Sequence, residues 1–208
     1  MATAAVIRPG ETDFDTQSRI QGSLDLPLNE AGSRQVQEII EQLGNTPLEV
    51  IYTSATEPAR STAKQIADHF GLPLRTLDDL ENLDHGLWQG MLVKDIRRKH
   101  PRVFKQWRES PEAVCPPKGE TCPEAHARVQ RALRKPLRKQ KPFAVVAPEP
   151  LATLVASVLR GEAPRLPGPI CGCRGDLRIE VISQFDSKQA GAGRSSGDDR
   201  IPVDAAEH

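Results

Sequence analysis

Three short apolar runs constrain this chain more than any other feature: Ala4 to Arg8, Val50 to Thr53 and Phe143 to Ala147. Each is too short for a core helix and is continuous rather than alternating. That is the pattern of a strand buried on both faces. Helical spacing follows each run. Asn29 is placed to cap a helix whose apolar positions include Ala31, Val36, Ile39, Ile40 and Leu43, stopped by Gly44 and Asn45. Ser54, with Glu57 three residues on, reads as a capping box for a helix that Gly71 ends after Phe70. Leu151, Leu154, Val155, Val158 and Leu159 repeat at helical spacing up to Gly161. Strand–helix alternation of this kind predicts an α/β fold with a mainly parallel sheet.

The rest of the chain fits around that frame. Leu74 to Leu77 reads as a short edge strand, and Leu177 to Ile182 as a last strand. Leu92, Ile96, Phe104 and Trp107 mark a helical region broken near Pro101. Pro116 to Gly119 is a turn, after which Thr121 and Glu124 form a second capping box. That box opens a basic helix that Pro136 is expected to end. From about Gln184 the apolar period dissolves into Gly, Ser, Asp and Arg. The expected organisation is a domain over 1–183 and a disordered tail over 184–208.

Charge excludes little but points away from two partner classes. Lys plus Arg and Asp plus Glu are 28 each, so nothing indicates nucleic acid or an anionic membrane surface. No apolar run approaches the ~18 residues of a membrane helix, and no basic-then-apolar leader opens the chain, so a cytoplasmic protein is expected. Cys115 and Cys122, and then Cys171 and Cys173, lack the paired spacing of a zinc site and read as free thiols. No metal or other cofactor is expected.

Four ordered segments carry chemistry. The first is Arg8-Pro9-Gly10-Glu11-Thr12, with Arg19-Ile20-Gln21-Gly22 and Asp25-Leu26-Pro27-Leu28 after it. The second runs from Tyr52-Thr53-Ser54 through Ala59-Arg60-Ser61-Thr62-Ala63, the third from Leu80 to Gly90, and the fourth is Val145-Val146-Ala147-Pro148-Glu149-Pro150. In order and spacing they resemble the histidine phosphatase (phosphoglycerate mutase-like) superfamily. There the first segment is R-H-G-E-T and the fourth V-V-S-H-G-G. The resemblance implies a doubly wound sheet with helices on both faces and a site at the carboxyl ends of the strands.

It also implies a chemistry that can be checked position by position. In this family a histidine attacks the phosphoryl group, two arginines and a second histidine hold its oxygens, and an acid protonates the leaving group. On the resemblance, Pro9 stands at the nucleophile, Pro148 at the second histidine, Pro58 at the second arginine and Asn82 at the acid. A proline nitrogen within a tertiary amide has no lone pair to phosphorylate. Arg60 lies two residues beyond Pro58, about 200° round a helix, and is not expected to substitute. Arg8 survives. Glu81 and His85 are the fallback acid and base. Loss of a nucleophile costs on the order of 10⁶ in rate in another covalent enzyme, and loss of one oxyanion donor about 10² to 10³. The expectation is a pseudophosphatase serving as a binding or regulatory scaffold, for a protein partner or for a small ligand in the former phosphate pocket. The alternative is a weak phosphomonoester hydrolase using non-histidine chemistry. Arg8, Arg19 and Glu149 are the expected ligand-binding residues. Glu57 and Glu149 are expected to make that pocket hostile to a dianion, and Arg8 is expected to sit in a structural ion pair with Glu149, Glu57 or Glu11. His85 reads as a surface loop histidine and Trp88 as core. The basic run from Arg128 to Lys141 reads as a solvated helix face.

Overall fold

The computed structural model describes residues 3–169 and 178–183. The expected last residues of the domain, Cys171, Cys173 and Leu177, and the tail over 184–208, lie outside the described residues. The strands are β1 (Thr3–Ile7), β2 (Val50–Thr53), β3 (Leu74–Thr76), β4 (Phe143–Val146) and β5 (Ile179–Ser183). Among the described residues they form one sheet in the order β3-β2-β4-β1-β5. β1 pairs in parallel with β4, β4 with β2, and β2 with β3. β5 closes the β1 edge antiparallel, with Ala5 opposite Val181.

The helices are α1 (Asp13–Thr16), α2 (Glu30–Leu43), α3 (Ala59–Phe70), α4 (Val93–Lys99), α5 (Pro101–Glu109), α6 (Cys122–Lys139) and α7 (Leu151–Arg160). The two-residue period of a strand explains how they are layered. Ala5 and Ile7 of β1 face a core with Val36, Ile39, Ala63 and Ile66 from α2 and α3. Their neighbours Ala4 and Val6 face the opposite core, with Val129 and Leu133 from α6 and Leu154 and Val158 from α7. The doubly wound arrangement with helices on both faces is therefore present. A satellite cluster of Ile20, Trp88, Ile96 and Trp107 ties the loop after β1 to the segment carrying α4 and α5, so Trp88 is core as expected.

Local signals account for most helix ends. The Asn29 side chain accepts from the Gly32 amide, and Gly71 and Gly161 end α3 and α7 at φ 64° and 69°. Thr121 and Glu124 form their capping box. Two readings are corrected. Ser54 does not cap α3, which starts at Ala59 with Pro58 at the cap. The residue before a proline is turned away from helical backbone, so Glu57 cannot lie inside the helix. Pro136 does not end α6, which continues to Lys139. Pro136 and Leu137 are both buried in the core, and that packing carries the helix one turn past the missing amide.

Candidate functional site

A cavity opens at the carboxyl ends of β1, β2 and β4. Arg8 and Pro9 come from the end of β1, Pro58 from the head of α3, and Pro148, Glu149 and Pro150 from the turn into α7. Arg19, His85 and Arg178 complete its wall with Glu11 and Asp15. The loop after β1 is held by close backbone approach. Gly10 donates from its amide to Thr62 Oγ1 at 3.3 Å. A Cβ on Gly10 would lie 2.3 Å from the Gly32 carbonyl oxygen. Asp15 accepts from the Thr12 amide at 2.6 Å and from the Thr12 hydroxyl at 2.9 Å. Burial nevertheless pushes its carboxyl above the usual range, outweighing those bonds.

An ion pair runs across the cavity. Arg8 Nε donates to Glu149 Oε1 at 2.5 Å, with Arg8 Nη2 also 3.8 Å from Glu180 Oε2 on β5. Glu149 Oε2 accepts from the Thr153 amide at 3.3 Å and the Thr153 hydroxyl at 2.9 Å, so one carboxylate holds Arg8 and caps α7. Glu57 does the equivalent for α3, accepting from the Ser61 amide at 3.0 Å. Helix N-termini attract anions, and at both of these helices an internal glutamate already takes that position. Of the three partners expected for Arg8, Glu149 pairs with it. The Glu11 carboxylate instead accepts from Asn29 and Gln35.

The other expected residues fall on both sides of the prediction. Arg19 lines the cavity but donates to the Gly90 carbonyl at 2.7 Å, with its guanidinium 5.9 Å from the Phe14 ring centre. Asn82 is 4% exposed and does not line the cavity. Its amide donates to the carbonyls of Gly22 and Glu149, both at 3.0 Å, joining the two loops behind the site. Glu81 is exposed and lines a separate groove with Asp78 and Glu120. Arg60 is exposed, while Pro58 is buried on the wall. His85 is not a surface group; it is 7% exposed. Its Nδ1 lies 3.1 Å from the Leu83 carbonyl, which can only accept, so Nδ1 carries the proton. Burial lowers its pKa, leaving a neutral ring at pH 7. Arg128 departs from the solvated face expected of the basic run. It pairs with Glu120 at 2.6 Å and donates to the carbonyls of Asp79, Glu81 and Asn82.

Arg178 was not anticipated. Its Nη1 donates to the Pro9 carbonyl at 2.6 Å, and its own carbonyl accepts from the Arg8 amide at 2.8 Å. It lies far along the chain from every motif, and no local pattern marks it. Its presence corrects the expected charge of the site. The wall carries Arg8, Arg19 and Arg178 against Glu11, Asp15 and Glu149, while Glu57 is not part of it. The cavity is about 30 Å³, and one water needs roughly 10–15 Å³. Among the lining residues His85 is the one side chain offering a nitrogen base. Among the described residues no group of three or more His, Cys, Asp or Glu is placed to hold a metal ion. Cys115 and Cys122 are free thiols, and burial pushes Cys122 up to about 11.

Comparison with known proteins converges on one family. Residues 5–166 match the histidine phosphatase superfamily (branch 1). Phosphoserine phosphatase 1 of Hydrogenobacter thermophilus is 33% identical over 135 residues, 65% of this chain and 64% of that one. A probable phosphoglycerate mutase of Yersinia pestis is 31% identical over 133 residues, 64% of this chain and 62% of its own. The match thus spans less than two thirds of either relative. Among solved structures, a mycobacterial glucosyl-3-phosphoglycerate phosphatase in complex with VO3 superposes with a TM-score of 0.77 at 26% identity, covering 91% of this chain and 95% of that one.

Proposed function

The chain belongs to the histidine phosphatase superfamily, and we propose that it keeps the family's fold without its phosphohistidine chemistry, as a pseudophosphatase that acts as a binding or regulatory scaffold. One observation carries this reading. Arg8, which the resemblance assigns to the phosphoryl oxygens, is instead paired with Glu149 at 2.5 Å, and Pro9 and Pro148 line the same cavity. A carboxylate is an internal stand-in for the phosphate oxygens. It pairs with Arg8, sits at the N-terminus of α7, and puts a negative charge where an incoming phosphoryl oxygen would compete for that arginine.

Supporting features are consistent with it. Neither Pro9 nor Pro148 offers a side-chain donor or nucleophile. Asn82, placed by resemblance at the acid, uses its amide to bond two backbone carbonyls. A space of about 30 Å³ is smaller than a phosphomonoester needs, which favours a role exercised through the outer surface over one that depends on a ligand there. The second reading, a weak phosphomonoester hydrolase, rests on His85, whose neutral ring lines the cavity.

Calorimetric titration with inorganic phosphate tests the first reading. Wild-type protein is expected to bind no phosphate in the millimolar range, whereas Glu149→Ala, which removes the carboxylate paired with Arg8 Nε, gains measurable affinity. Submillimolar binding by the wild type that Arg8→Ala abolishes would mean the pocket is open to anions, and the reading would fail.

A further inference from the structure

A second cavity, of about 340 Å³, lies at the opposite end of the sheet. That is within the roughly 300–1,000 Å³ of small-molecule sites. Val50 and Phe143, the first residues of β2 and β4, form its floor with Tyr52 and Pro136. It exists because β3 is only three residues long and begins its pairing at Leu74, opposite Ile51, so the sheet edge is uncovered beside the last turn of α6. All four floor residues are buried, and Tyr52 and Phe143 meet edge to face at 5.8 Å.

Its polar groups point to a ligand. Tyr52, 4% exposed, lines the cavity and brings a hydroxyl to it. Burial raises its pKa, so the hydroxyl stays a donor. The rim carries Arg75, Lys139, Lys141 and Glu49. Glu49 is taken by Lys141 at 2.6 Å. Among the described residues Arg75 and Lys139 have no carboxylate partner. An apolar floor with aromatic edges, a tyrosine hydroxyl and two exposed cations on the rim form a site for a flat apolar body with an anionic end.

We propose that this cavity binds a small planar aromatic carboxylate or phosphate, with its ring over Val50, Pro136 and Phe143, and its anionic group between Arg75, Lys139 and the Tyr52 hydroxyl. The site is independent of the cavity at Arg8 and of whether that one is catalytic.

Benzoate and phenyl phosphate are the probes, measured by calorimetry on the full chain. Benzamide removes the charge and cyclohexanecarboxylate removes the aromatic ring. Saturable binding of at least one anionic probe is expected, weakened about tenfold in Arg75→Gln and in Lys139→Gln. Both side chains are exposed, so these variants keep the fold. Tyr52→Phe should weaken binding without altering the thermal unfolding of the free protein downward. Arg8→Ala should leave binding unchanged. The stronger of the two anionic probes identifies the head group. The proposal is overturned if neither anion saturates the wild type or if benzamide or cyclohexanecarboxylate binds as well. It is overturned equally if Arg8→Ala, rather than Arg75→Gln and Lys139→Gln, abolishes binding.

Discussion

Glu149 joins Arg8 through one carboxylate oxygen at 2.5 Å and caps α7 through the other, accepting from the Thr153 amide at 3.3 Å. The same residue therefore neutralises the arginine left at the end of β1 and satisfies an orphan donor of the helix after β4. Removing it takes from a largely buried guanidinium its 2.5 Å carboxylate partner, with Glu180 farther off at 3.8 Å. Glu149→Ala should lower unfolding free energy by roughly 3–5 kcal/mol. Urea titration at neutral pH measures it; a loss under about 1 kcal/mol would show that the pair is not structural.

Asn82 donates to two carbonyls from one buried amide nitrogen. Asn82→Asp restores the residue type that a general acid would need, but an ionised carboxylate has no proton to give either carbonyl. The expected result is a destabilisation of about 1–3 kcal/mol for the unsatisfied groups, with no gain of turnover. Gain of phosphoesterase activity in this variant would contradict the structural role given to Asn82.

Gly10 and Gly32 approach so closely that neither tolerates a side chain. A Cβ on Gly10 meets the Gly32 carbonyl oxygen at 2.3 Å, and one on Gly32 meets the Glu11 carbonyl oxygen at 2.1 Å. Both neighbours are backbone and cannot swing aside. Gly10→Ala and Gly32→Ala should each cost about 1–3 kcal/mol or more, measured by thermal unfolding. Unchanged melting would mean that the loop after β1 is not anchored on α2.

Histidine burial sets the low-pH side of the stability curve. Desolvation holds the folded pKa of His85 below its ordinary 6.5, and His126 is shifted the same way. Between the folded and unfolded values the unfolded chain binds more protons, so stability rises with pH there. It is complete above about 6.5 and is lost as the pH falls toward the folded value. Urea midpoints should drop between about pH 7.5 and 5.5, and His85→Gln should flatten that slope. An equal slope in the variant would remove His85 as a source. Asp15, whose folded pKa is raised by burial, acts oppositely. It becomes less unfavourable as pH falls toward its folded value, and so it cannot produce the drop.

Much of this was legible in the chain. Asn29, and Thr121 with Glu124, announce their helices by side-chain capping that needs no tertiary context. Buried strands announce themselves by composition. Pro9, Pro58 and Pro148 were placed on the cavity wall by motif order alone, and all three line it. What escaped is what depends on distance along the chain or on competition between signals. Arg178 reaches Pro9 from 169 residues away. Arg128 looks like one of many surface cations until the carbonyls of Asp79, Glu81 and Asn82 converge on it. Ser54 carries a capping signal that Pro58 overrides, and Pro136 carries a stop signal that burial overrides. His85 is buried against Trp107, with ring centres 6.2 Å apart, through packing that a loop sequence does not reveal.

The most direct measurement is turnover of a generic phosphomonoester by the purified chain from about pH 4 to 9, with Arg8→Ala beside it. The account predicts hydrolysis no faster than in the Arg8→Ala protein at every pH. Hydrolysis that exceeds the variant and disappears with Arg8 would contradict it, and would make the cavity walled by Arg8 and His85 a working phosphatase site.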